Sequence, residues 1–415
     1  MTERQSSSPM AGAPSVSKLK LGAALSLAAF MAACATSPTP GPGTHVPPPA
    51  PPPPPGSQVT TREGVTPPFM QNRPIVRIGL LLPFSSRPQD ASALYNAAEL
   101  ALFDHGDQNT LLIPRDAGAD EASASAAARA LASDGADVII GPVLREGVQG
   151  AGEAVRNQNI PVIGFSSDRT VASAGVYLLS FQLEDEIERL VSFAASRGIH
   201  TIALLAPANE YGQRVQQALQ QQAQASGVTI VASQLYNRND TEAAAAATAI
   251  AAQLRTSPAQ AILIADNGTP LRAIGTSLVR NGIDQHQVRF LGTSAWAGDA
   301  QREPTLAGGW YVASDPSART GFEASYTNMF GTSPTRLASL SYDAVSLVSY
   351  LSRNGHPDAI NRGAIENPEG FGGSDGLFRF SSNGSIERGL AIIEVRANDV
   401  GVLDPAPQRF PAARG

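Results

Sequence analysis

The chain has 415 residues, a formal net charge of −6, 42% hydrophobic residues and a single cysteine. Mild acidity with no Lys/Arg-rich run excludes a nucleic-acid-binding surface and attachment to lipid through a polybasic patch. One thiol makes neither an intramolecular disulfide nor a CxxC metal or redox pair. In chain order, Lys18 and Lys20 precede "LGAALSLAAFMAA", about a dozen apolar residues ending in small side chains. That is the charged start, apolar centre and small-residue cleavage site of a signal peptide, too short to span a bilayer, and residues 1–33 are assigned to it.

The lone cysteine, Cys34, comes next, and Met31-Ala32-Ala33-Cys34 resembles the lipobox of bacterial lipoproteins. The resemblance implies that the Cys34 thiol is diacylated and anchors the chain to a membrane, each buried acyl CH₂ contributing about 0.8 kcal/mol. Met31 stands where a lipobox commonly has Leu. In lipoproteins an Asp after the cysteine is the common inner-membrane retention signal, so Ala35 implies an outer-membrane anchor facing the periplasm. Residues 34–74 are rich in Pro, Gly, Ser and Thr and carry too little apolar surface to offset ordering entropy. They are expected to form a disordered or partly polyproline linker, reaching on the order of 100 Å at about 3.1 Å per residue.

From Ile75 onward about 340 residues remain, enough for two domains with full cores. "IVRIGLLLPFSS" (75–86) is a continuous apolar run, the pattern of a parallel strand buried on both faces. "DASALYNAAELALFDHG" (90–106) has helical spacing, with Asp90 as N-cap and Gly106 as stop. Strand and helix then alternate through "TLLIPRD", "DEASASAAARALASDG", "ADVIIGP", "REGVQGAGEAVRNQN" and "IPVIGFSSD". The alternation restarts near 181 with "HTIALLAP", "NEYGQRVQQALQQQAQASG", "VTIVASQL", an Ala-rich helix over 241–254, "AQAILIAD", "LRAIGTSLVRNG" and "VRFLGTS". "GGWYVAS" predicts a strand, "GFEASYTNMFG" and "LASLSYDAVSLVSYLSR" two helices, and "GLFRFSSNGSIERGLAIIEV" a terminal hairpin turning at Asn383-Gly384. The pattern is α/β: two doubly wound parallel-sheet lobes joined by a hinge.

The order and wording of "IGLLLPFSS", "GADVIIGP", "IPVIGFSSD", "NEYGQRVQQAL", "SYDAVSLVSYL" and "GSDGLFRFSSNGS" resemble type I periplasmic-binding-protein folds of the branched-chain amino-acid receptor group. With a lipobox and the "LLLP" opening, the chain looks most like the penicillin-binding-protein activators, outer-membrane lipoproteins that stimulate a peptidoglycan synthase. The resemblance implies a first lobe of 75–181 plus 309–365, a second of 182–308 plus 366–395, and a tail over 396–415.

In open α/β sheets ligands bind beyond the carboxyl ends of the strands. Those ends carry Ser85, Ser86, Ser166, Ser167, Asp168, Tyr211, Asp266, Asn267, Thr293, Ser294 and Trp296. Hydroxyls and amides near helix N-termini suit a carboxylate, and Asp168 or Asp266 suits an ammonium, so the set fits a small zwitterion. Ser, Thr, Asp and Asn are also the ordinary N-capping residues, the plainer explanation for any one of them. The receptors of this group carry Ser or Thr after the "GP" of the third strand, where this chain has "VLREG" with Arg145 and Glu146.

Enzymatic motifs are missing. "GFSSD" lacks the closing Gly of a nucleophile elbow, "GVQGAG" lies inside a helix, and the five histidines are scattered without metal-ligand spacing. No catalytic residue, metal or cofactor is expected. The acidic run Glu184, Asp185, Glu186 and Glu188 predicts a solvated helix start. Two functions follow: an envelope lipoprotein that regulates a penicillin-binding peptidoglycan synthase, or a substrate-binding receptor of an ABC transporter for amino acids or related small ligands.

Overall fold

The computed structural model describes residues 66–70, 74–106, 109–353 and 356–410. The signal peptide, Cys34 and nearly all of the linker lie outside the described residues.

The first strand, β1 (Val76–Leu82), pairs in parallel with β2 (Thr110–Asp116) on one side and β3 (Val138–Ile140) on the other. β4 (Val162–Gly164) and β5 (Val176–Leu178) complete a five-stranded sheet in the order β2-β1-β3-β4-β5. The run of Ile and Leu in β1 is buried because helices cover both faces. On one face lie α1 (Pro88–His105) and the later α9 (Ala338–Leu351), with Leu94, Ala98, Leu340 and Val348 in a shared core. The other face is covered by α2 (Glu121–Ser133) and α3 (Arg145–Val155) through Ala128, Leu131, Val148 and Ala151.

The winding then repeats. β6 (Thr201–Pro207), β7 (Thr229–Tyr236), β8 (Ala261–Ile264), β9 (Arg289–Gly292) and β10 (Trp310–Ala313) run in the order β10-β9-β8-β6-β7. Helices α4 (Leu183–Ser196) and α5 (Glu210–Ser226) cover one face, while α6 (Asp240–Gln253) and α7 (Gly268–Arg280) cover the other. Strand for strand, β6 to β10 repeat the neighbour relations of β1 to β5.

After β10 the chain returns to the first lobe. α8 (Pro316–Phe330) and α9 pack against α1, α10 (Arg362–Ile365) follows, and β11 (Phe371–Gly373), β12 (Gly376–Phe380) and β13 (Ile386–Arg388) form an antiparallel sheet. Phe371, Phe378, Phe380 and Ile386 enter the first core. The chain crosses once more into β14 (Ala391–Arg396), antiparallel to β10, and β15 (Asp399–Asp404) completes the seven-stranded second sheet.

These pairings correct the expected boundaries. β10 belongs to the second sheet, 371–388 packs on the first lobe, and part of the expected tail, 399–404, is a strand. The expected terminal hairpin is divided: β12 and β13 make it, with Gly384 at φ 83° in its turn, and the next apolar run pairs in the other lobe. At the start of α1, Asp90 is not the cap; Arg87 occupies that position without a side-chain bond and Pro88 is the first helical residue. Three segments therefore cross between lobes, near 181, 314 and 389.

Candidate functional site

Each sheet has its switch point where the chain turns both ways from its central strand, between β1 and β3 and between β6 and β8. The loops beyond these carboxyl ends carry the expected residues, and the structure divides them into three groups.

Thr293 and Trp296 are structural. Both are wholly buried, and the Trp296 indole donates to the Ile264 carbonyl at 2.9 Å within the second core. The Thr293 hydroxyl is 2.6 Å from that of Tyr211, and burial pushes the Tyr211 phenol well above its usual range. These side chains pack beneath the strand ends.

Asp266 and Asp168, the two expected ammonium partners, are already engaged. Asp266 accepts from the Tyr236 hydroxyl (2.5 Å), Arg238 Nε (2.9 Å) and the Asn267 backbone (2.8 Å). Asp168 pairs with Arg145 Nε at 2.9 Å and accepts from the Thr170 backbone and hydroxyl. Burial opposes its ionisation, but the Thr170 bonds and the guanidiniums of Arg145 and Arg214 outweigh it and hold the carboxyl below the usual range.

Most of the third group is open to solvent. Ser85, Ser86, Ser167 and Asn267 are exposed; the Ser86 hydroxyl donates to the Gly118 carbonyl, and Ser166 is buried with its hydroxyl accepting from the Asp168 backbone.

The sequence reading missed the charges that join the lobes. Arg214, on α5, donates to both oxygens of Glu184 (2.9 and 3.1 Å) and reaches across to the Ser167 carbonyl at 3.3 Å. From the first lobe Arg169 returns the contact, donating to Gln182 Oε1 at 3.0 Å and pairing with Asp185. Arg145, Arg169 and Arg214 are thus matched by Asp168, Glu184 and Asp185. The carboxyl edges of the two sheets meet through a network of three positive and three negative side chains.

The acidic start of α4 is correspondingly not a solvated face. Glu186 is buried and accepts from the Ser294 backbone (3.0 Å) and hydroxyl (2.7 Å), which also fixes the expected cleft residue Ser294. Burial raises the Glu186 carboxyl pKa against those two bonds. Its position was visible in the spacing: Leu183, Glu186, Ile187 and Leu190 fall on one helical stripe, and the other three are buried apolar residues.

Behind the network, the hinge holds a second charged cluster. Asp375, fully buried, accepts from Arg319 (2.9 Å) and Arg336 (3.0 Å). Arg336 stacks on Phe181, 3.8 Å from the ring centre, and Arg388 donates to the Ser180 carbonyl at 2.9 Å. Two segments crossing between the lobes are thereby tied by guanidiniums of the first.

A profile described as periplasmic binding protein matches residues 75–398. The chain belongs to the periplasmic binding protein family. Compared with curated proteins, it matches none. Among solved structures it is similar to a protein of Rhodospirillum rubrum described as a branched-chain amino acid ABC transporter, with 17% identity and a TM-score of 0.69 over 79% of this chain and 100% of that one. A solute binding protein of R. palustris in complex with benzoate gives 16% identity and a TM-score of 0.57, covering 82% of this chain and 98% of that one. The leucine binding protein LivK of Thermotoga maritima gives 16% and 0.55, covering 80% and 99%. At these identities the likeness is one of fold, the type I periplasmic-binding-protein fold. None of the three names a peptidoglycan synthase as partner, so the activator reading gains nothing from them.

Proposed function

We propose that this periplasmic binding protein is the solute-binding receptor of an ABC transporter and takes a small carboxylate-bearing molecule between its lobes. The observation that carries the reading is the meeting of the two carboxyl edges, on which both switch points lie, through Arg169, Arg214 and their acidic partners. Arg145 and Arg238 are each about half exposed and stand at loops after strand ends, one in each lobe. Each is held by a carboxylate yet keeps further N–H donors in its fork, the geometry that suits a ligand carboxylate. The similar proteins named with leucine or benzoate are consistent with such a ligand. An envelope location accords with the family, and lipidation at Cys34 extends the proposal.

The test is thermal. The full chain, refolded to remove any carried ligand, is melted against a panel of amino acids and aromatic carboxylates. A ligand at 100 times its dissociation constant adds about 2.7 kcal/mol, a rise of a few degrees for a chain of this size. One carboxylate should give that rise, and Arg145→Ala should reduce it by at least half. A panel without any shift, or a shift untouched by Arg145→Ala, rejects the carboxylate cleft.

A further inference from the structure

A cavity of about 530 Å³ lies at the amino edge of the first sheet, between the end of α3 and the start of α10. Val162 and Val176, which line it, are the first residues of β4 and β5, so it stands opposite the cleft, which lies beyond the carboxyl ends. α3 comes close to β5 at Gly152, where a Cβ would lie 2.7 Å from Val176 Cγ2. Val155, Val176 and Ile360 are buried and give the cavity an apolar wall.

Its charge is one-sided. In a chain of net charge −6, the lining holds Arg156 and Arg362 and neither an Asp nor a Glu. Arg156 is exposed at the end of α3 and makes no ion pair or side-chain hydrogen bond among the described residues. Arg362, exposed at the start of α10, bonds Glu366 at 3.2 Å through Nε and the Ser382 carbonyl at 3.5 Å through Nη2, and keeps further N–H donors in its fork. Glu366 is shared with the Tyr177 hydroxyl, from which it accepts at 2.8 Å, and stays outside the lining. Exposed Asn159 and Ser173 add an amide and a hydroxyl. Two guanidiniums brought from different elements to one cavity repel each other, and an anion between them turns that repulsion into attraction.

We propose that this cavity binds a small organic phosphomonoester. Its terminal oxygens accept from Arg156 and Arg362, and its apolar body lies against Val155, Val176 and Ile360. The two oxygens of a carboxylate are filled by one guanidinium fork, whereas three phosphate oxygens serve two forks together. This site does not rest on the cleft reading, because it uses other residues and the opposite edge of the sheet.

The probe is phenyl phosphate, titrated calorimetrically into the full chain at a pH well above the second phosphate pKa of about 6. Inorganic phosphate and phenol are titrated beside it. Phenyl phosphate should bind, with each of the other two at least tenfold weaker. Arg156→Gln removes the charge of an exposed side chain that bonds nothing in the fold, so the melting temperature should hold while affinity falls at least tenfold. Gly363→Glu is the independent check. Gly363 lines the cavity, and a Cβ there meets only Asn361 Oδ1, at 3.5 Å, so a carboxylate enters the site and leaves both arginines in place. It too should lower affinity at least tenfold. Absence of binding to the wild-type chain, equal affinity for inorganic phosphate or phenol, or full affinity in either variant overturns the proposal.

Discussion

Asp343 and Asp375 are buried within one charge field yet are driven in opposite directions. Burial pushes Asp343 up to about 6 against the pull of Arg388, with Asp375 adding repulsion. Burial also works against ionised Asp375, but Arg336, Arg388 and Arg319 together hold it below its usual value. The signs for stability follow. Asp375, depressed in the folded state, stabilises above its unfolded pKa and loses that contribution as pH falls. Asp343, raised in the folded state, binds its proton more tightly there than in the unfolded chain. Its contribution is present below the unfolded value near 4 and is lost as pH rises through about 6. A rise of about two units corresponds to a loss on the order of 2–3 kcal/mol. Asp343→Asn removes this slope, so the melting temperature of the variant minus that of the wild type should increase from pH 4.5 to pH 7. Thermal melts at the two pH values check it, and a difference independent of pH shows that the carboxyl is not raised.

At the scale of elements, the strands were the most legible part, because a parallel strand buried on both faces must be apolar throughout and Ile, Val and Leu supply that in β1, β6 and β8. Helix starts were legible where a side chain caps them, as Asn209 does for α5 by accepting from the Gly212 N–H at 3.0 Å. Lobe membership was not. Phe378, Phe380 and Ile386 have the same local pattern as Ile392 and Ile393, yet the first three pack in one lobe and the last two in the other. Alternation encodes which face is buried but not which sheet buries it, and the break at Gly389 is a single residue. In the candidate site, sequence reasoning placed the loops correctly at strand ends. It could not show that Asp168 and Asp266 were taken by arginines distant in the chain, because ion pairs across 23 or 28 residues leave no local periodicity. Tight helix-to-strand packing was hidden for the same reason. A Cβ on Gly212 would lie 1.9 Å from the Pro207 carbonyl oxygen, so the start of α5 sits directly against the end of β6. Ala is about 1 kcal/mol better than Gly in a helix, but overpacking against backbone costs about 1–3 kcal/mol or more. Gly212→Ala should therefore lower stability by about 1–2 kcal/mol in urea denaturation, whereas a gain in stability would show that the helix start can move away.

For the whole molecule, two sheets with the same winding could be read from the repeated alternation, and the chain order of the lobes from the restart near 181. The charge network links their carboxyl edges, and its energies are small enough to matter for motion. Arg214 and Glu184 are each about a third exposed, and ion pairs in that setting contribute about 0–1 kcal/mol. Such a term is negligible against unfolding. Against an opening equilibrium of a few kcal/mol it is not, since 1 kcal/mol changes the ratio of states about fivefold. Arg214→Ala removes the bidentate bonds to Glu184 and the bond to the Ser167 carbonyl, leaving Arg169 with Asp185 and Gln182 as a link between the carboxyl edges. The variant should populate open conformations more, with a radius of gyration by small-angle X-ray scattering above that of the wild type at low salt. Raising the salt should shrink the difference, because a screened wild-type network no longer favours closure. Identical scattering at both ionic strengths would mean that the packing of the three crossing segments holds the lobes, and that the network serves only to line the cleft.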